Sequence, residues 1–257
     1  MSQPETPSKP FIVKRWPSAF TAHYGHTLPS TYISYDLEAT GFSFTKDLIL
    51  EIGHTVVKDG EIAQVSSTYL DWTRTEYVGE QWLRDKIDSV KRAIEQDADG
   101  NPTGETFAIT YEKLRDEGVH PQKALRFYFD LFSAVEDNKG FIVGHNVIRF
   151  DSAFIKEAFK EWLGKEFEFG LNTVFDVGAI EKADQTDILP LESSTLHSYL
   201  RYVSNIRRKG IKWSVNHCME KYGVAKECDI RLDEMHSAGM DSMCVALIFE
   251  RFREMSR

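Results

Sequence analysis

The sequence predicts an α/β fold: a mixed five-stranded sheet flanked by helices. Three observations carry that expectation. A β-rich run whose side chains alternate between faces begins at Thr31, and two more such runs follow it across turn residues. Farther along, apolar residues at helical spacing alternate with two short apolar runs of strand length. The chain has 257 residues, 42% hydrophobic and 12% aromatic, enough to bury a sizeable core.

Residues 1–30 read as an extension. Pro4, Pro7, Pro10, Pro17 and Pro29 break regular structure there, although Phe11, Ile12, Val13, Trp16 and Phe20 could pack as an arm. The main domain is expected over 31–257. Its first strand is Thr31–Glu38 and its second Leu48–Val57, with Asp59-Gly60 as a hairpin turn into a third strand over Ile62–Trp72. Residues 73–118 are charged and irregular, and about 73–106 reads as an insertion with a loop at Asp99–Gly104. Within it, Trp82, Ile87, Val90 and Ile94 predict a helix over Val78–Gln96. Pro121 opens a helix that runs to Val135. Phe141–Gly144 is a short buried strand, Ser152–Leu163 a helix stopped by Gly164, and Thr173–Val177 another short strand. Helical segments are expected around 191–202 and 213–222. The last helix starts near Gly239, with Met240, Cys244, Leu247, Ile248 and Phe252 at core spacing. Hairpin-linked strands, then alternating helices and strands, give the layout of a ribonuclease-H-like domain.

Composition narrows the function classes. No apolar run approaches the roughly 20 residues that cross a bilayer, and Met1–Lys9 has no apolar segment of signal-peptide type. A soluble, cytoplasmic protein without membrane contact is expected. Cys218, Cys228 and Cys244 form no C-x-x-C pair, so reduced thiols are expected rather than a zinc site or a disulfide framework. The formal charge of −9 disfavours a protein that grips long nucleic acid by charge alone. It leaves room for a carboxylate-rich site that cations neutralise.

Asp36 and Glu38 lie two apart on the first strand, so they share a face, with Cα atoms roughly 6.6 Å apart. Two acids on one face of an apolar strand are costly unless they reach solvent or are neutralised. Hard oxygen ligands of this kind select Mg²⁺ or Mn²⁺. Asp151 stands at a helix entry after a buried strand, and Asp241 in the first turn of the last helix, five residues after His236. Singly, each could be a helix cap or an ordinary histidine. Their value lies in the set and its order.

That set resembles a known family. Tyr35-Asp36-Leu37-Glu38-Ala39-Thr40-Gly41-Phe42, Gly144-His-Asn-Val-Ile-Arg-Phe-Asp151 and His236-Ser-Ala-Gly-Met-Asp241 resemble the three motifs of the DEDDh (DnaQ-like) 3′→5′ exonuclease superfamily. The likeness covers about 31–255. In motif form it is nearest to the three-prime repair exonucleases and bacterial exonuclease I, both of which have an Arg where Arg149 stands. The chain departs from the repair enzymes in lacking a proline-rich surface loop, in its 73–106 insertion and in a basic segment near 201–212.

The resemblance implies two divalent cations, Mg²⁺ with Mn²⁺ as a substitute, about 3.5–4 Å apart. Asp36, Glu38, Asp241 and Asp151 would hold them and His236 would act as general base. The expected activity is release of nucleoside 5′-monophosphates from the 3′ ends of DNA, preferably single-stranded. RNA hydrolysis, a polymerase-associated proofreading role and a catalytically inactive nucleic-acid-binding module are the alternatives. The stretch Leu37, Ala39, Thr40 and Phe42 would touch the terminal nucleotide, with Phe42 against the last base or, equally, an ordinary core residue. His145 and Asn146 could orient the carboxylates or merely cap the strand end, and Arg149 would face the substrate. Arg207, Arg208 and Lys209, in a run with Arg201 and Lys212, could follow the nucleic-acid backbone or form a solvated surface. Beyond the 3′ end of a strand, a second copy of the chain or a polymerase or repair protein is an allowed partner.

Overall fold

Alternation in the sequence lays down the sheet. β1 (Tyr32–Ala39), β2 (Ile49–Lys58) and β3 (Glu61–Tyr69) form an antiparallel meander. β4 (Ile142–Gly144) and β5 (Val174–Asp176) add to it in parallel, giving the order β3-β2-β1-β4-β5. This is the expected mixed five-stranded sheet, with the D-x-E strand at its centre. The computed structural model describes residues 28–190, 194–231 and 236–256, so the arm expected over 1–30 lies almost wholly outside the described residues. At the β2–β3 hairpin, Asp59 and Gly60 both take positive φ, 53° and 87°, as a tight right-twisted connection requires.

Helices cover both faces. They are α1 (Glu80–Glu95), α2 (Tyr111–Glu117), α3 (Pro121–Asp137), α4 (Asp151–Leu163), α5 (Val177–Thr186), α6 (Leu196–Ser204), α7 (Val215–Lys221), α8 (Val224–Glu227) and α9 (Ala238–Met255). Two aromatic contacts identify the faces of β1. The Tyr32 ring meets Phe249 of α9 at 5.0 Å, and the Tyr35 ring meets Phe132 of α3 at 4.9 Å. Period-two alternation therefore puts Asp36 and Glu38 on the α9 face.

Local chemistry accounts for the boundaries that differ from expectation. The third strand stops at Tyr69, short of Trp72. The Asp71 side chain accepts the Thr73 amide and opens one 3₁₀ turn, and Trp72 Nε1 donates to Ile49 O at 2.6 Å. α2 lies in a stretch read as irregular, with Thr110 capping it. α5 was not foreseen either; it leaves β5 directly, with Asp176 as its cap. α6 begins only at Leu196, where Thr195 caps it. In α1 the buried face is Leu83 and Ile87, while Trp82 turns partly outward. Among the described residues no helix is long and apolar enough to cross a membrane.

α9 starts directly on top of β2. A Cβ on Gly53 would stand 2.0 Å from the carbonyl carbon and oxygen of Ala238, far inside van der Waals contact with backbone. Gly53→Ala therefore has to push the helix start away. The expected result is a loss of about 1–3 kcal/mol in urea denaturation, the ordinary range for overpacking. The entropic gain of replacing a strand glycine, about 0.5–1 kcal/mol, is the smaller effect. An unchanged midpoint would mean that the close approach is not a real constraint.

Candidate active site

The site is assembled from one strand and the first turns of two helices. Asp36 and Glu38 project from β1 and keep partial solvent access. Asp151 reaches them from the first turn of α4, where its Oδ1 accepts the Leu37 amide at 3.1 Å. That amide sits between the two strand acids. Asp241 comes from the first turn of α9; one carboxylate oxygen of it, one of Glu38 and an imidazole nitrogen of His236 lie within 4.8 Å of one another. Acids more than 200 residues apart in the chain thus face one another, as their motif order anticipates.

Among the described residues, no cationic side chain is among the causes acting on the strand pair. Burial, then the charges of Asp151, Asp241, Glu38 and Glu51, push the Asp36 carboxyl well above its usual range. Burial, then Asp241, Glu51 and Asp151, do the same to Glu38. Burial raises Asp151 to about 8, against the easing effect of its own amide and that of Leu37. Burial raises Asp241 to about 7, although the His236 amide donates to it. The Oδ1 of Asp241 is buried with no hydrogen-bond partner. Converging oxygens without a neutralising side chain are a donor set that fits hard divalent cations.

His236 has a φ of +80°, uncommon for a residue with a Cβ, just before the Ser237 cap of α9. Its Nε2 lies 3.2 Å from Oε2 of Glu105, within ion-pair distance though not aligned as a hydrogen bond. Glu105 belongs to the 73–106 insertion and is met by Asn216 Nδ2 at 3.4 Å. The insertion therefore closes onto the site.

Two further acids support the cluster, and the sequence reading passed over both. Glu51 pairs across the sheet with Glu38, accepts from Ser67 Oγ, and takes the free amides of Ala238 and Gly239 at the start of α9. Its signal was an acid inside the apolar run of the second strand, the same anomaly as Asp36 and Glu38. Asp176 accepts the amides of Asn146 (3.0 Å), Ile148 (3.3 Å) and Ala179 (2.9 Å), tying the turn before Asp151 to the start of α5.

The expected substrate residues fall into distinct places. Phe42 is 88% exposed, edge-on to Phe150 at 5.8 Å, so it is not a core residue. Leu37 and Ala39 are buried, and of the two Leu37 presents its amide to Asp151. Thr40 Oγ1 accepts the Leu48 amide at 2.9 Å and donates to Asp47, shaping the turn after β1. His145 Nε2 is 2.7 Å from Trp213 O and its ring stacks on that indole, bracing the approach to α7, and it also acts electrostatically on Asp176. Asn146 holds a left-handed φ of 57°, with its amide on Asp176. Arg149 is exposed, its Nη1 3.4 Å from Ser204 O. Arg207, Arg208 and Lys209 stand exposed on the loop after α6.

No family model matches the chain. Solved structures resemble it in fold. E. coli exonuclease I in a zinc-bound complex with single-stranded DNA superposes with a TM-score of 0.55 and 15% identity, over 85% of this chain and 39% of that one. Its complex with a dA16 oligonucleotide gives the same four values. A product-bound exonuclease I gives 0.53 and 14%, over 85% of this chain and 42% of that one. The chain thus spans about two-fifths of these proteins. A DNA polymerase III of the PolC type from Clostridium perfringens (strain 13 / Type A) is 50% identical over 40 residues, 16% of this chain and 3% of that protein.

The raised carboxyls link stability to pH and to cations. Their folded pKa values exceed the unfolded ones of about 4, so between that pH and about 8 the native state binds more protons. Stability from this cluster is full below pH 4 and falls as pH rises. A cation that binds the ionised acids stabilises the fold increasingly over the same interval. The melting temperature gained on adding Mn²⁺ to chelator-treated protein should therefore grow from pH 5 to pH 8. Asp36→Asn should melt higher than wild type in chelator at pH 8 and gain less from Mn²⁺. A gain independent of pH would remove the acids as the binding groups.

Proposed function

We propose that the chain is a divalent-metal-dependent 3′→5′ exonuclease acting on DNA, preferably single-stranded, and releasing nucleoside 5′-monophosphates. The observation that carries this reading is the meeting of Asp36, Glu38, Asp151 and Asp241, otherwise unneutralised, beside the His236 imidazole. A module that only binds nucleic acid has no use for four mutually repelling acids. The motifs, the shared fold with exonuclease I and the short stretch of likeness to a DNA polymerase III support the DNA reading.

The four acids would hold the cations, Mg²⁺ or Mn²⁺. Bound there, the cations would lower the pKa of the attacking water and offset charge on the leaving 3′ oxygen. His236 takes the proton of that water as it adds to phosphorus and the P–O3′ bond breaks. Its neighbour Glu105 faces the ring at 3.2 Å from the insertion side. The Leu37 amide holds Asp151, while the amides of Ala238 and Gly239, seated on Glu51, hold the start of the helix that carries Asp241. Phe42, exposed at the turn after β1, would lie against an unstacked terminal base.

A 5′-labelled single strand in Mg²⁺ should shorten stepwise from its 3′ end, and a 3′-labelled one should give labelled mononucleotide at once. Both reactions should stop in chelator. Equal or greater turnover of a matched RNA would move the substrate to RNA; internal cleavage would end the exonuclease reading. His236→Ala should keep strand binding and lose about 10²–10⁴-fold in rate. Near-normal hydrolysis by that variant would remove His236 as the base.

A further inference from the structure

A second feature borders the acids, and of its lining only Ile148 and Arg149 belong to a motif. Between α4, α6 and the stretch leading to β5 lies a cavity of about 400 Å³, within the size range of ligand sites. Arg149, Lys156, His197 and Arg201 line it, over an apolar floor that includes Phe44 and Phe169. We propose that this cavity receives a phosphodiester of the substrate strand on the 5′ side of the nucleotide being removed, with the attached sugar on the apolar floor. The proposal rests on the strand-cleaving reading above and adds to it a site for the part of the strand that is not cut.

Position is the first reason. Ser152 and Arg149, both in the cavity wall, flank Asp151 in sequence, and Ser152 Oγ is 3.2 Å from the hydroxyl of Tyr35, the residue before Asp36. Phe44 sits 6.0 Å from Phe150, whose ring in turn meets the exposed Phe42. A strand whose last base lies on Phe42 therefore has a continuous aromatic path to the cavity. Ser152 and Lys156 are one turn apart on α4, and His197 and Arg201 one turn apart on α6, so two helices each turn a polar pair to the same space.

Charge is the second reason. In a chain of net charge −9, four basic side chains share this concavity. Its acid, Glu168, is 79% exposed and already paired with Lys156 at 2.6 Å. No carboxylate among the described residues pairs with Arg149 or Arg201. Burial, then Arg201 and Lys156, hold the His197 imidazole below its usual range, with Glu168 opposing them. Guanidinium groups presented in a recess without a carboxylate partner are suited to a phosphate, which they can engage through several N–H groups. A free nucleotide or inorganic phosphate offers the same chemistry, and only a strand also needs the path past Phe44.

The test compares wild type with Lys156→Ala/Arg201→Ala in Mn²⁺. The substrates are single strands of two to eight nucleotides and the p-nitrophenyl ester of thymidine 5′-monophosphate, which has no nucleotide to place in the cavity. For strands of four or more the double variant should raise KM about tenfold at moderate salt. It should also flatten the dependence of log KM on log salt by about 0.7 per lost phosphate contact. The ester should be turned over as by wild type, and Arg201→Lys should recover part of the lost affinity. Unchanged KM and salt slope for long strands, with normal ester turnover, overturn the proposal. An equal loss on both substrates overturns it as well, since the pair would then serve the fold or the chemistry. A variant that loses only inhibition by thymidine 5′-monophosphate would make the cavity a product site instead. Wild-type protein that cleaves neither substrate overturns the cleavage reading itself and the strand as occupant with it.

Discussion

Mutual repulsion among buried carboxylates is the constraint on which the remaining structure depends. At a separation near 4 Å two like charges repel by about 4 kcal/mol at the effective dielectric of a partly exposed protein site. The candidate site gathers four such groups, with Glu51 and Glu105 close by. Flexible loops could not hold this arrangement, because the acids would swing apart into water. The chain places each acid where backbone hydrogen bonding leaves it little choice. Asp36 and Glu38 are on a central strand bonded on both sides, and Asp151 and Asp241 are in the first turns of helices pinned to that strand's surroundings.

The pins are specific. Behind α4, the Leu37 amide and the Tyr35 hydroxyl grip Asp151 and Ser152, while Asp176 fixes the turn that leads to them. Behind α9, Gly53 admits the helix backbone, Glu51 accepts its first amides, and Thr55 Oγ1 meets Ser242 Oγ at 3.0 Å. Glu51 gains from that position as well, since a carboxylate at a helix N-terminus is favoured by unsatisfied N–H groups. The amides offset part of the burial that still leaves the Glu51 carboxyl raised, so one strained acid holds another. Sites that concentrate like charge in this way give up fold stability for function, and the stability returns only when a ligand of opposite charge binds.

What could be read from the sequence follows the range of the underlying signal. Alternation along β1 and β2 and the Asp-Gly hairpin are local, so the sheet's first half was legible almost residue by residue. The face shared by Asp36 and Glu38 followed from that alternation alone. Their meeting with Asp151 and Asp241 was not visible in any local pattern and came from motif order. α5 was missed because its apolar residues run on from β5 without a turn, and only the capping role of Asp176 separates strand from helix. α2 was missed because seven mostly charged residues carry too little periodicity. Glu51, Asp176 and Glu105 act through partners distant in sequence, and so does His145, whose ring meets Trp213 O and acts on Asp176. Phe42 is the converse case: a large apolar residue looked equally suited to the core, and only the shape of the turn after β1 puts it in solvent.

The turn from Gly144 to Asp151 links the two electrostatic characters of this face. Asp151 points toward the strand acids, and Arg149, two residues earlier, lies on the wall of the basic cavity. An acidic centre by itself repels a phosphodiester, and a basic surface by itself binds one without choosing which bond to break. Set side by side on one turn held by Asp176, they give the face a polarity that a uniform charge could not. On the proposed reading, phosphates would be favoured on the α6 side, and a divalent cation would be needed before one could approach the β1 side. A strand that satisfied both would lie across them in one orientation. An end of that strand would then be the part most easily brought to the acids, because a continuing chain would have to carry further phosphates past the same negative cluster.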